Sequence, residues 1–184
     1  LLALAAALQL VVKEELFERI LVSRPIVPLG NDIGFLPGDK NSKLSSWMQP
    51  IFDNLDFLLG NDTTINKGKS GGRSPTDALI NTHKLDLEAL TYIRGRSIPR
   101  QFVIIDEAQN LTPHEIKTII SRAGQGTKMV LTGDPQQIDN PYLDASSNGL
   151  SYTVDRLKEQ PIFGHVTLAR SERSELAGIA ARYL

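Results

Sequence analysis

Short β-rich apolar runs alternate with stretches whose apolar residues recur at helical spacing, and this alternation restricts the fold more than any other feature of the chain. It is the signature of an α/β fold with a mainly parallel sheet. Strands are expected at 20–23, 87–92, 102–106, 129–132 and 166–168, and helices at 1–17, 45–59, 113–122, 147–158 and 172–184. The third helix carries a start signal: Thr112 can cap it, Pro113 fits its first position, and Glu115 completes a capping box. Pro161 bars the fourth helix from running on. Residues 60–75, GNDTTINKGKSGGRSP, are polar and rich in Gly, Ser and Asn, and read as a long loop or insertion. No internal repeat or second hydrophobic core is visible, so the 184 residues read as one domain.

Composition narrows the chemistry. The absence of cysteine excludes disulfides, thiolate zinc sites and cysteine nucleophiles, and fits a cytoplasmic protein. His83, His114 and His165 are scattered without ligand spacing. With a net charge of −1 there is no global basic field, so contact with nucleic acid would need a local patch. The apolar opening, 1–12, has no preceding Met or basic region and no small-residue cleavage site, and it is too short to span a bilayer. Leu1, Leu4, Leu8 and Val11 recur at helical spacing, which suits a helix buried against a sheet, and a chain that begins inside such a helix is expected to be a fragment.

The chemistry-bearing residues gather where apolar runs end. In FVIIDEAQN, 102–110, a buried strand closes on two carboxylates, and ligands of open α/β sheets sit beyond the carboxyl ends of strands. An aspartate there can hold Mg²⁺ through water, and the adjacent glutamate can polarise a water against a γ-phosphate. Asp106 is therefore the candidate metal residue and Glu107 the candidate general base. The pair is not needed as a helix cap, because Thr112 serves there. MVLTGDPQQID, 129–139, is a second buried strand ending in a polar turn, similar to the G-D-x-x-Q turn that follows the acidic strand in helicase-type ATPases. That likeness places Gln137 near the γ-phosphate, with Asp134 and Thr132 as neighbours. In LARSERSEL, 168–176, Arg170 and Arg173 stand at a strand end and a helix start. They either meet phosphate oxygens, one as an arginine finger, or Arg173 pairs with Glu172 or Glu175 on a solvated face. YIRGRSIPR, 92–100, gathers Arg94, Arg96 and Arg100, either a phosphate-binding cluster with Tyr92 for stacking or a solvated loop.

ATP hydrolysis on this architecture needs G-x-x-x-x-G-K-[ST]. The one Gly-Lys-Ser, at 68–70, has Thr63 where the first glycine belongs, no preceding strand, and two further glycines where a helix should begin, and is rejected as a phosphate loop.

SRPIVPLGNDIGFLPGD, SWMQPIFDN, LTYIRGRS, VIIDEAQN, TGDPQQID and RSERSELA, met in this order, give the chain a resemblance to the PhoH family of P-loop ATPases over nearly its whole length. The resemblance implies a three-layer P-loop NTPase core that lacks its first strand and phosphate loop, these lying upstream of Leu1, with LLALAAALQ as the helix that follows the loop. It implies ATP and Mg²⁺ as ligands, Asp106 and Glu107 as the Mg²⁺ and water-activating carboxylates, Gln137 as γ-phosphate sensor, and Arg170 and Arg173 as phosphate contacts. Arg24 and 34–39 correspond to a segment near the nucleotide or nucleic-acid side. The phrasing is nearest to the longer members with an N-terminal PIN ribonuclease domain, which implies ATP-driven RNA unwinding coupled to cleavage; a homo-oligomeric ring and no membrane contact are also expected. This fragment alone would be inactive. The rival readings are a helicase-type ATPase core acting on DNA and a non-catalytic nucleotide-fold binding module.

Overall fold

The computed structural model describes residues 1–26, 47–60, 75–93, 95–168, and, beyond these, 174, 176, 178, 179 and 183. The chain divides into two compact units, Leu1–Thr153 and Val154–Leu184.

In the first unit, strands β1 (Arg19–Arg24), β2 (Leu85–Ala89), β3 (Gln101–Ile105) and β4 (Lys128–Leu131) form one sheet in the order β2-β1-β3-β4. All three pairings are parallel, with Ile20 opposite Leu85 and Phe102, and Val103 opposite Met129. The expected α/β class and parallel sheet are therefore present. The helices are α1 (Leu2–Leu8), continued by a π-turn at Gln9–Lys13, then α2 (Gln49–Gly60), α3 (Pro75–Asn81), α4 (Leu90–Ile93), α5 (Pro113–Ile120) and α6 (Gly149–Leu157).

Alternation along the two central strands builds the three layers. Ile20, Val22, Phe102 and Ile104 pack with Leu4, Ala7, Leu8 and Val11 from the first helix and with Ile51, Leu55 and Leu59 of α2. Leu21, Val103 and Ile105 point the other way and pack with Ile116 and Ile119 of α5. A strand covered on both faces reads as an unbroken apolar run, which is why ILV and FVII were legible as strands. Phe17 meets Phe102 edge-on, with ring centroids 5.6 Å apart.

At α5 the capping box forms as expected: the Glu115 amide donates to the Thr112 hydroxyl at 3.2 Å, and the Thr112 amide donates to Glu115 Oε2 at 2.9 Å.

Three expectations are corrected. The first helix ends at Lys13 rather than at 17, where Glu14 and Glu15 would set two carboxylates against the negative end of the helix dipole and Glu15 turns left-handed at φ 53°. The second strand lies at Leu85–Ala89, and its register against β1 leaves 90–93 to form a single helical turn; short apolar runs do not separate strand from helix by pattern. No strand forms at 166–168, where Val166 is 81% and Leu168 71% exposed; three residues with no partner edge leave their backbone groups to water. Helix α3 was not anticipated. The second unit holds the last residues of α6, where Lys158 pairs with Asp155 at 2.9 Å.

Candidate functional site

The carboxyl ends of β1, β3 and β4 are tied together by backbone bonds that run past the strands themselves. The Asp106 amide donates to the Ser23 carbonyl at 2.9 Å, the Thr132 amide to Ile105 at 2.9 Å, and the Ala108 amide to Thr132 at 2.9 Å. Between them the chain turns sharply at Glu107, which is left-handed at φ 54°, ψ 39°, and enters a buried 3₁₀ turn, Ala108–Asn110. A non-glycine residue held there carries of order 1–3 kcal/mol of strain, the kind of cost found where a side chain must be aimed. The turn lets both neighbouring carboxylates reach a single guanidinium.

That guanidinium is Arg24, at the end of β1. Its Nε lies 3.3 Å from Asp106 Oδ2, an ion-pair contact without hydrogen-bond alignment, and its Nη2 donates to Glu107 Oε1 at 3.1 Å. Trp47 backs it, with its ring centroid 5.7 Å from Arg24 Cζ, within cation–π range, and its carbonyl 3.4 Å from Nη1. The second oxygen of Asp106 accepts from the Thr132 hydroxyl at 2.7 Å. The second oxygen of Glu107 accepts from the Gln109 amide at 2.6 Å. The side chains of Arg24, Asp106 and Glu107 are 14%, 25% and 38% exposed, so the cluster is open to water on its carboxylate side.

The glutamine turn folds on Asp134. Its carboxylate accepts from the Gln136 amide at 2.9 Å and from Gln137 Nε2 at 2.7 Å, and its carbonyl accepts from the Gln137 amide at 3.0 Å. Asn110 fixes the next stretch, accepting from the amides of Asp139 at 2.7 Å and Asn140 at 3.2 Å.

Of the residues singled out in the sequence, Arg24, Asp106, Glu107, Asp134 and Gln137 thus belong to one connected network. The Gln137 side-chain amide is turned to Asp134 rather than to the acid pair. Arg96 stands apart and pairs with Glu88, while Arg100 pairs with Glu18. Arg94, Arg170, Arg173, residues 34–39 and the rejected Gly-Lys-Ser at 68–70 lie outside the described residues. Three contributors were missed. Thr132 was named only as a neighbour, Trp47 lies far from the acid pair in sequence, and Gln109 was signalled only by its place inside FVIIDEAQN.

The donor set at the acid pair consists of carboxylates and a hydroxyl. All are oxygen, and this suits Mg²⁺, a hard cation that usually keeps several waters. Both Asp106 oxygens already have partners, which fits contact through water. Among the described residues no group of three or more His, Cys, Asp or Glu is arranged to cage a metal, and no helix is long and apolar enough to cross a membrane.

A family model described as PhoH-like protein matches residues 1–181. The protein PhoH2 of Bacillus subtilis (strain 168) is 56% identical over 185 residues, covering 100% of this chain and 40% of the relative. The protein PhoH2 of Mycolicibacterium smegmatis is 37% identical over 186 residues, covering 100% and 39%. A PhoH-like protein of Bacillus subtilis (strain 168) is 36% identical over 141 residues, covering 77% and 40%. The chain spans about 40% of the length of these curated relatives.

Proposed function

The chain belongs to the PhoH family, and from that premise we propose that it forms the hydrolytic half of an ATPase site. The observation that carries this reading is the acid pair at the end of β3, held between the ends of β1 and β4 by Arg24 and Thr132. Such a site also needs a G-x-x-x-x-G-K-[ST] loop, which these 184 residues do not contain, so in this reading they would not turn over ATP by themselves.

Asp106 would hold Mg²⁺ through water, and the ion when bound would neutralise charge on the triphosphate. Glu107 takes a proton from the attacking water, which adds to the γ-phosphorus as the bond to the ADP oxygen breaks. Gln137 leaves Asp134 and turns its amide to the γ-phosphate. The family likeness offers Arg170 and Arg173 as the phosphate contacts that would stabilise charge on the transferring group, and Arg24 and Asp134 as residues of the nucleotide side, while Arg96 is held away from them by Glu88. Catalysis of this kind consists mainly of positioning and charge stabilisation. Coupling to RNA, assembly into a ring and a cytoplasmic location rest on the family likeness; the net charge of −1 adds nothing to the case for RNA.

The test is MgATP hydrolysis by the full-length protein, beside its Glu107→Gln variant. The expected result is turnover in the first and a loss of roughly 100-fold or more in kcat in the second. Equal turnover in both would remove Glu107 from the mechanism. No turnover in either would leave a nucleotide-fold binding module.

A further inference from the structure

Gln109 is fully buried, yet its neighbour Glu107 is part-exposed and the Asp134–Gln137 turn lies at the surface. Its side-chain nitrogen donates to Glu107 Oε2 at 2.6 Å and to the Gln137 carbonyl at 2.8 Å, and its side-chain oxygen accepts from the Asp134 amide at 3.3 Å. These partners fix which end is which. A carboxylate and a carbonyl only accept and a backbone amide only donates, so the flipped amide would lose all three bonds. Space for this side chain is reserved by Gly133, where a Cβ would overlap Gln109 Oε1 and come within 3.2 Å of its backbone nitrogen.

We propose that Gln109 is a positioning residue that locks the Glu107 carboxylate to the Asp134–Gln137 turn, so that a shift of the turn on phosphate binding is transmitted to the general base. The inference rests on the reading of Glu107 given above. A glutamate carboxylate rotates in a broad, roughly two-fold well and does not set its own plane. Here one oxygen is held by Arg24 and the other by Gln109. Only the second of these links runs to the turn that carries Gln137. The planar amide contacts both sides at once, and its burial makes each of these bonds costly to leave unmade.

Gln109→Met keeps the bulk and removes donor and acceptor together. In the full-length protein, kcat for MgATP should fall by roughly 10- to 100-fold, the range for outer-shell partners that orient a reactive group. KM should stay within about twofold, because the residue does not touch the nucleotide. On the Glu107→Gln background, single-turnover rates should show no further loss from Gln109→Met. A residue that only supports the fold would reduce the rate by the same factor with or without Glu107, and that result overturns the proposal. Should Gln109→Met fail to fold, Gly133→Ala crowds the same amide and carries the same cycle. An active parent, an inactive Glu107→Gln and a Gln109→Met at parental rate would overturn the positioning role alone. A parent without hydrolysis would overturn the ATPase reading, and this inference with it.

Discussion

Among the described residues, Arg24 is the cation in contact with both Asp106 and Glu107, and it is held from behind by Trp47. A guanidinium cannot lose its proton, so without it two adjacent carboxylates would face each other across a partly dehydrated turn. Arg24→Met should therefore lower stability by about 1–2 kcal/mol, less than for a fully buried pair because both acids keep some water. A divalent cation would supply the missing charge. Thermal melts should accordingly show MgCl₂ recovering part of the loss in the variant while moving the parent less. An identical Mg²⁺ effect on both proteins would mean that the acid pair does not attract the ion. The two carboxylates were legible in sequence because they sit where an apolar run stops, whereas Asp134 and Gln137 were singled out by likeness to the G-D-x-x-Q turn. Arg24 and Glu107 are 83 positions apart, and only the pairing of β1 with β3 brings them together, so their contact was beyond any reading of spacing.

At the scale of elements, local chemistry decided what could be read. The start of α5 was visible because Thr112, Pro113 and Glu115 satisfy one another within a single turn. The end of the first helix was not, because a π-turn and a left-handed Glu15 depend on how the chain must swing into β1. The approach to α6 shows a second local device. Asp144 accepts from the amides of Ser146 and Ser147 and from the Ser146 hydroxyl, each at 2.7–2.8 Å. Those bonds, with the Ser146 hydroxyl first, hold its carboxyl down from 3.8 to about 2. A carboxyl lowered on folding stabilises the fold at pH above its unfolded value and ceases to do so as pH falls through its folded value. The melting temperature of Asp144→Ala should thus lie below the parent's at pH 5, and the gap should shrink between pH 4 and pH 2. A gap that stays constant over that range would mean the bonds do not depend on the charge. Asn148 then caps the helix itself, accepting from the Ser151 amide at 2.9 Å, so the fault should stay within the turn that leads into α6.

On the scale of the whole molecule, the two outer strands of the sheet are unlike in a way that bears on what each can pair with. β2 carries Asp86 and Glu88, both partnered by arginines, and charges of this kind guard an edge against further pairing. β4 carries Met129, Val130 and Leu131, all only half-buried, and among the described residues no strand pairs with its outer edge. An apolar strand with one open row of amides and carbonyls is a template for another strand. If the phosphate loop comes from upstream sequence, its strand has that edge to pair with, and the loop would then emerge beside Thr132 and the acid pair. The 184-residue chain on its own should therefore self-associate through β4, and a protein in which another strand covers that edge should not do so by that route. Light scattering at rising concentration separates the cases. Val130→Lys should suppress association of the short chain by placing a charge on this half-buried apolar strand. A short chain that stays monomeric at high concentration, with Val130→Lys making no difference, would show that β4 needs no neighbour and that the loop must be sought elsewhere.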